Sequence, residues 1–194
     1  MMNSDSTNRP RRTNRAFAAA LAVLLVLTLT SCRRKAVRVT DEEAMPVQTV
    51  IDAQAKLDAT LYISAFPPDF IAAARASCEL IEGVTLEEFL TNSYIVPAAE
   101  NCETNYGKGF GCEYLVHAIL EYPAEENERD FAKYIDYNVI DYDMDVTKIQ
   151  KSVKAVGTLN SWGDDAEDSD SATYVLIQID GVWYLHPMYF LTVY

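Results

Sequence analysis

Residues 172–185 read ATYVLIQIDGVWYL, and this stretch decides the fold class of the chain. Two runs rich in β-branched and aromatic residues, 172–179 and 182–185, flank the pair Asp180-Gly181. Asp-Gly is favoured in the two-residue turns of hairpins because both central residues need a positive φ. The stretch therefore predicts an antiparallel β-hairpin near the end of the chain.

Two further strands are predicted upstream of this hairpin. Residues 110–122, FGCEYLVHAILEY, are rich in β-forming residues with partial alternation, and Pro123 follows them. Residues 146–159 carry apolar side chains at a spacing that fits a strand with a bulge about as well as a helix. The neighbouring hairpin favours the strand. We interpret the polar residues 160–171, which separate it from the hairpin, as a loop.

The sequence pattern upstream of these strands predicts helices. Apolar residues recur at helical spacing between Val47 and Ala65, which predicts one amphipathic helix over 46–65 that ends before Pro67-Pro68. A second helix is expected over 69–82, with Gly83 as its terminator.

Three shorter segments complete the expected order of elements. Thr85 and Glu88 have the spacing of a capping box, which predicts a short helix over 85–90. Residues 92–109 show no clear period and are interpreted as a loop. Residues 128–140 again have apolar side chains at fourfold spacing, which predicts a helix after the first strand.

This order, helices followed by a strand, a helix and a curved antiparallel sheet, predicts an α+β fold. With the terminal hairpin 174–185, it resembles the nuclear-transport-factor-like (cystatin-like) domain and small lipoproteins of Gram-positive bacteria that end in a similar hairpin. The resemblance covers about residues 47–194 and implies a cone-shaped domain in which N-terminal helices and a concave sheet enclose a pocket. Members of this fold family include enzymes, ligand-binding domains and pairing domains, so the fold does not decide the function.

Charge is distributed very unevenly along the chain. Eight of the 16 basic residues precede residue 39, whereas residues 39–194 contain 28 acidic and 8 basic residues, a net charge of −20. Affinity for nucleic acid comes mainly from clustered Lys and Arg on the phosphate backbone. Nucleic acid is therefore an unfavourable partner for the acidic part of the chain.

The N-terminus has the pattern of an export signal. Residues 1–15 are polar and basic, and residues 16–27, AFAAALAVLLVL, are apolar. This is the n-region and h-region order of a signal peptide, and the apolar run is shorter than the roughly 20 residues that a membrane-spanning helix needs. We expect residues 1–31 to be removed as a signal peptide.

Residues 29–32 read LTSC and resemble the lipobox of bacterial lipoproteins, in which the cysteine accepts diacylglycerol. The resemblance implies a lipid on Cys32, a short tether over 32–46 and a single folded domain over 47–194, held on the extracytoplasmic face of the membrane. The basic residues 33–35 could also lie against anionic headgroups. An uncleaved signal anchor and a secreted chain with an unmodified Cys32 are the alternatives.

Candidate catalytic residues are few. His117 lies in the strand predicted over 110–122, and Glu113 precedes it on the same face, so the two could act as a general acid and base in a cone pocket. A histidine satisfied in the core or at an edge is the competing interpretation of His117. His186 is expected at the surface. No metal-ligand spacing and no nucleotide or phosphate motif occurs, so no metal and no cofactor is expected.

Three cysteines follow Cys32. Cys102 and Cys112 could form a disulfide in an exported protein, which would leave Cys78 as a buried thiol. A disulfide between Cys78 and either Cys102 or Cys112 is one alternative. Three buried thiols are the other.

Two surface features could bind ligands. The acidic residues 163–170 have the oxygen density of a calcium loop but not EF-hand spacing, so a solvated hairpin tip is favoured. Three tyrosines, Tyr134, Tyr137 and Tyr142, could form an aromatic binding surface or line the core.

The sequence thus predicts a membrane-anchored lipoprotein whose domain binds a small ligand or a protein at the cell surface without catalysis. An enzyme that uses His117 and Glu113 is the first alternative, and a structural or dimerising envelope protein is the second. The identity of the ligand and the oligomeric state are left open.

Overall fold

Helices form the first part of the described chain and an antiparallel sheet forms the second. The computed structural model describes residues 41–123, 125–130 and 140–192. Its helices are α1 Asp41–Ala55, α2 Ala59–Ser64, α3 Pro68–Glu82, α4 Leu86–Leu90, a π-helical turn Thr91–Ile95 and α5 Val96–Tyr106. Its strands are β1 Gly111–Glu121, β2 Lys151–Trp162, β3 Glu167–Ile179 and β4 Val182–Leu185. The predicted α+β class is confirmed, whereas the cone shape and the family likeness stay predictions.

The first predicted helix is in fact two helices. After α1 the chain turns at Leu57, whose φ is 54°. Asp58 then caps α2, and its carboxylate accepts a hydrogen bond from the backbone N–H of Leu61 at 2.9 Å. The prediction of one helix over 46–65 was wrong because the apolar spacing continues across the turn, and periodicity carries no information about the backbone of Leu57.

Helix α1 also begins earlier than expected. Residues 41–46 were assigned to the tether, but they are helical, and Ala44 and Pro46 are buried. Pro46 lacks the backbone N–H that a helix interior uses, which made it look like a boundary. In the structure the burial of this segment offsets the lost hydrogen bond, so residues 41–46 belong to the folded domain and not to a tether.

The next two helices agree with the sequence. Helix α3 ends at Gly83, which has the left-handed φ of 70° that favours glycine at a helix C-terminus. Helix α4 begins after Thr85, whose hydroxyl accepts a hydrogen bond from the backbone N–H of Glu88 at 3.2 Å. Both predictions rested on local capping chemistry and are confirmed.

The loop predicted over 92–109 is wrong, because this region is mostly helical. A π-helical turn over Thr91–Ile95 leads directly into α5. None of the residues of α5 is fully buried. A helix without a buried stripe has no apolar period to detect, which is why the sequence pattern missed it.

The sheet is a meander in the order β1-β2-β3-β4, with every neighbouring pair antiparallel. The final turn has Asp180 at φ 51° and Gly181 at φ 79°, as the hairpin prediction requires. The loop predicted over 160–171 is shorter than expected. Residues 160–162 belong to β2 and residues 167–171 to β3, and only the tip between them is outside the ladder.

The expected bulge lies in another strand. The β1–β2 register pairs Val116 with Gly157 and Ala118 with Val156, so His117 is the extra residue. Gly157 sits opposite this bulge, and a Cβ at that position would lie 2.3 Å from the carbonyl oxygen of Leu115. Close backbone approach at the bulge therefore requires glycine there.

The inner face of the sheet packs on the helices to form the main core. Tyr114, Ala155, Tyr174 and Leu176 are buried there in one cluster with residues of α1 to α4. The core also contains an aromatic group in which Tyr62, Phe66 and Phe70 contact Phe190. The space between sheet and helices is thus filled by side chains.

Tyr122 and Met144, two described residues between β1 and β2, cover part of the outer face of the sheet. Residues 125–130 are helical, and residues 131–139, which hold most of the helix predicted over 128–140, lie outside the described residues. Ile140 is not helical. A 3-10 turn over Val146–Lys148 precedes β2, so the strand predicted from 146 starts later than expected.

Candidate functional site

The structure does not bring His117 and Glu113 into a pocket. Both side chains are exposed on the outer face of β1, away from the helices. His117 Nε2 lies 2.6 Å from Thr158 Oγ1 on the neighbouring strand, and Asn160 donates a weak hydrogen bond to Glu113 at 3.4 Å. An acid–base pair needs a shared, enclosed reaction space, so this pair does not form a catalytic site.

His186 is buried, in contrast to the surface position predicted for it. It is fully shielded from solvent where the chain leaves β4. Its Nδ1 accepts a hydrogen bond from the backbone N–H of Met188 at 3.1 Å, and the backbone N–H of His186 donates to Val175 O at 3.0 Å. Burial lowers the pKa of His186 to about 4, so the imidazole is neutral at neutral pH.

The acidic tip between β2 and β3 is held by backbone contacts. Asp165 N donates to Tyr106 O at 2.9 Å, and Asp164 N donates to Lys108 O at 3.0 Å. These bonds dock the tip on the loop that joins α5 to β1. Within residues 41–123, 125–130 and 140–192, no group of three or more His, Cys, Asp or Glu side chains is arranged to hold a metal ion.

Of the three tyrosines considered as a binding surface, the structure describes one. Tyr142 packs edge-on against Phe70 at 5.3 Å between ring centres, as part of the core packing. Tyr134 and Tyr137 lie outside the described residues. The described member of the group therefore fits the core interpretation.

The three described cysteines occupy two separate places. Cys78 is buried on α3, and burial, followed by the charges of Glu82 and Glu87, raises the pKa of its thiol. Cys102 on α5 and Cys112 on β1 line one small cavity of about 30 Å³. All three are thiols in this structure. Pairing of Cys78 with either of the others is not favoured, because its neighbours belong to a different cavity.

A larger cleft lies on the helical side of the molecule, and we call it the α3–α4 cleft. Its volume is about 240 Å³, and α3, α4, Ile140 and the C-terminal residues Phe190 and Leu191 form its walls. The residues that line it are Ala74, Ser77, Cys78, Ile81, Glu82, Leu86, Phe89, Ile140, Phe190 and Leu191. The sequence did not predict this cleft, because its walls come from three segments far apart in the chain.

The α3–α4 cleft is mainly apolar with a few polar groups. Ser77, Cys78 and Glu82 are the polar residues, and they share one face of α3. Pockets that bind small molecules have this composition, in which apolar walls supply affinity and few polar groups fix orientation. Because its pKa is raised, the Cys78 thiol stays protonated at neutral pH and is a weak nucleophile. The cleft is therefore suited to binding.

Comparisons with protein families and with curated proteins assign no family to this chain. No protein-family model matches the chain, and no curated protein matches it either.

The anchoring signal predicted at the N-terminus falls outside the structural description. Cys32 and the residues before it lie among residues 1–40, which the structure does not describe. Within the described part, no helix has both the length and the apolar character needed to cross a bilayer.

Proposed function

We propose that the protein is a lipoprotein, anchored through Cys32 on the extracytoplasmic face of a membrane, whose domain binds a ligand or a partner without catalysis. The observation that carries the anchoring part is the order of a basic segment, an apolar run and LTSC at residues 1–32. The α3–α4 cleft supports the binding part.

The small number of residues between Cys32 and α1 in the sequence fits an anchored domain. Only residues 33–40 separate the lipobox cysteine from Asp41. An extended chain covers at most about 3.6 Å per residue, so this link spans less than about 30 Å. A lipid on Cys32 would therefore keep the domain close to the bilayer surface.

Charge would orient the domain on its link. Anionic headgroups attract Lys and Arg that lie within a Debye length of the surface. Arg33, Arg34, Lys35 and Arg38 lie in the link, whereas the chain beyond it carries a net charge of −20. The basic link would face the membrane, and repulsion would turn the acidic domain towards the outside, where a partner can reach it.

The candidate ligand is a small apolar group. A cleft of about 240 Å³ is slightly below the usual 300–1,000 Å³ of small-molecule sites. It fits an aromatic ring, a short acyl chain or one large apolar side chain of a partner protein. Glu82 at its edge would disfavour an anionic group beside the apolar one.

Anchoring is tested by intact mass and membrane fractionation of the chain expressed in a bacterium, with Cys32→Ala as the variant and Cys78→Ala as the matched cysteine control. We expect the wild type and Cys78→Ala to lose residues 1–31, gain a diacylglyceryl group and sediment with membranes. Cys32→Ala should keep residues 1–31 and gain no diacylglyceryl group. If all three chains keep the N-terminus or remain soluble, the anchoring proposal is wrong.

Binding in the cleft is tested with the neutral fluorescent probe phenylnaphthylamine and the purified Cys32→Ala chain. Ser77→Trp should fill the cleft and lower the rise in probe fluorescence. Any probe bound by the apolar residues 16–27, which this chain keeps, should be the same in every variant. Ala76→Trp is the matched control, because residue 76 is exposed on the same helix. Equal probe binding by both Trp variants would place the binding site elsewhere.

A dimerising role is the second candidate, and exposed leucines on an edge strand favour it. Leu115 and Leu120 are about half exposed on β1, the first strand of the sheet. Exposed edges with apolar side chains can pair with a second copy. Gln48 of α1 already accepts a hydrogen bond from Tyr114 N at 3.1 Å, which closes part of that edge. Light scattering measures the molar mass in solution. A mass of two chains for the wild type and of one chain for Leu115→Lys would support a dimerising role over ligand binding.

A further inference from the structure

We propose that Cys102 and Cys112 are the residues that become a disulfide in the mature protein, and that this bond fastens helix α5 to strand β1. This proposal takes its oxidising compartment from the proposed function. Cys102 and Cys112 are one of the pairs that the sequence allows, and the structure is the ground for choosing them. The proposal resolves the pairing that the sequence left open.

Both cysteines point towards the same space. Cys112 is on the inner face of β1, on the same side as Tyr114, and is packed against the main core. Cys102 is on the side of α5 that faces Gln54 and Ala55 of α1. The cavity that they share is small, about 30 Å³, and both cysteines lie in its wall.

Electrostatics agrees with this proximity. Burial, and then the neighbouring Cys112, raises the pKa of the Cys102 thiol. On the other side, Ser161 is the register partner of Cys112, and its hydroxyl donates a weak hydrogen bond to Cys112 Sγ at 3.5 Å. Cys78 lines a different cleft, the α3–α4 cleft.

Helix α5 gives the bond a structural purpose. The helix has no fully buried residue, so little apolar area holds it on the core. Its attachment depends on half-buried side chains such as Ala98, Ala99 and Tyr106. A covalent bond from Cys102 to the sheet would limit local opening of this helix and of the hairpin tip that docks beside it.

The chemistry balances with a disulfide-bearing oxidoreductase as the oxidant. One cysteine thiolate attacks a sulfur atom of that disulfide, which forms a mixed disulfide and releases one thiolate of the oxidant. The second cysteine then attacks its partner's sulfur and releases the other thiolate. The two cysteines lose two protons and two electrons, and the oxidant becomes a dithiol. The raised pKa of Cys102 predicts that uncatalysed oxidation is slow.

The test uses the purified Cys32→Ala chain, which removes the lipid question from the measurement. The chain is incubated in a glutathione redox buffer, denatured and alkylated with a maleimide, and its intact mass is measured. Oxidation should leave one maleimide adduct, on Cys78, and a chain that is two hydrogen atoms lighter before alkylation. Persistence of three adducts would overturn the proposal without affecting the membrane-anchoring experiment.

Replacement of one further cysteine at a time in the Cys32→Ala chain identifies which two cysteines pair. Oxidised Cys78→Ala should carry no adduct, and oxidised Cys102→Ala and Cys112→Ala should each carry two. If Cys102→Ala carries none, the disulfide joins Cys78 to Cys112 and the proposal is wrong. For Cys78→Ala, the Tm of the oxidised form should exceed that of the reduced form by roughly 5–10 °C, as expected for a loop of this length in a domain of this size.

Discussion

The two ends of strand β3 lie in opposite surroundings although both pair with β2 along one continuous ladder. At one end, residues 174–177 are all buried, and at the other end residues 167–171 are all exposed. The buried end reads YVLI and the exposed end reads EDSDS. Backbone pairing is common to both ends, so the difference between them comes from what covers the two faces of the sheet.

The buried end is covered on both faces. Tyr174 and Leu176 face the helices, whereas Val175 packs with Tyr122 and Met188, and Ile177 packs with Met144. A strand covered on both faces reads as a continuous apolar run and not as an alternating one. The exposed end extends past this cover and is held by its pairing with β2 and by the docking of its tip. Stability should therefore be concentrated at one end of a single strand.

The largest expected effect is at the buried end. Leu176→Ala should lower the free energy of unfolding by about 3–4 kcal/mol, because a fully buried leucine leaves a cavity in a core that relaxes only in part. Leu115→Ala, at a leucine of the same sheet that is 46% exposed, is the matched control and should cost less than about 1 kcal/mol. Urea unfolding of both variants measures the difference. Similar losses would contradict the assignment of stability to the covered end.

The second effect, also at the buried end, depends on pH. The folded pKa of His186 is about 4, below its unfolded value of about 6.5, so the unfolded chain binds a proton first as pH falls. This contribution to stability is complete above pH 6.5 and is lost as the pH falls towards 4. Between pH 7 and pH 5 the loss should be about 2 kcal/mol.

The control for this effect is His186→Asn. The asparagine side-chain oxygen can still accept the hydrogen bond from Met188 N, which His186 Nδ1 accepts in the structure, but it does not titrate. Urea unfolding of the two chains at pH 7, 6 and 5 gives the comparison. Equal slopes of stability against pH would show that His186 is not a buried neutral group.

A third effect tests whether the tip holds the exposed end. A Cβ on Gly163 would lie 2.3 Å from the carbonyl oxygen of Tyr106, which accepts the hydrogen bond from Asp165 N. Gly163→Ala should therefore release the tip, accelerate exchange of the Asp164 and Asp165 amide protons, and cost about 1–2 kcal/mol.

Gly181→Ala is the control for the tip. It also places a methyl group in a hairpin turn, but nothing lies within 4 Å of the new Cβ, so its cost comes only from the positive φ. Exchange at residues 164 and 165 should not respond to it. An equal response to both substitutions would mean that the contact with Tyr106 does not hold the tip.

The same comparison explains what the sequence could predict. The turn at Asp180-Gly181 and the end of α3 at Gly83 depend on the backbone preferences of the residues themselves, and both were found. The buried end of β3 was predicted because a strand that is covered on both faces has a continuous run of apolar residues. The exposed end of β3 and helix α5 were missed because neither buries a face, and a polar strand or helix has no apolar period.

The candidate site was harder to predict than the fold. The α3–α4 cleft joins α3, Ile140 and Phe190, and their proximity is a result of tertiary packing. His186 becomes buried for the same reason, since the turn after β4 and its neighbours cover it. The pair His117 and Glu113 was correctly placed on one face of β1, but the sequence did not indicate that this is the uncovered face.

The smallest expected effect lies in the middle of the exposed end. Ser169 pairs in register with Asn160 of β2, and its hydroxyl donates a hydrogen bond to Asn160 Oδ1 at 2.7 Å. Exposed cross-strand pairs contribute roughly 0.2–1 kcal/mol, because water competes for both partners. Ser169→Ala should thus lower the free energy of unfolding by about 0.5 kcal/mol or less, and Ser171→Ala, at an exposed serine of the same strand, by less still. A loss above about 2 kcal/mol for Ser169→Ala in urea unfolding would mean that the exposed end is covered in solution. A second copy or a partner would then have to supply the cover that the chain itself supplies at the other end.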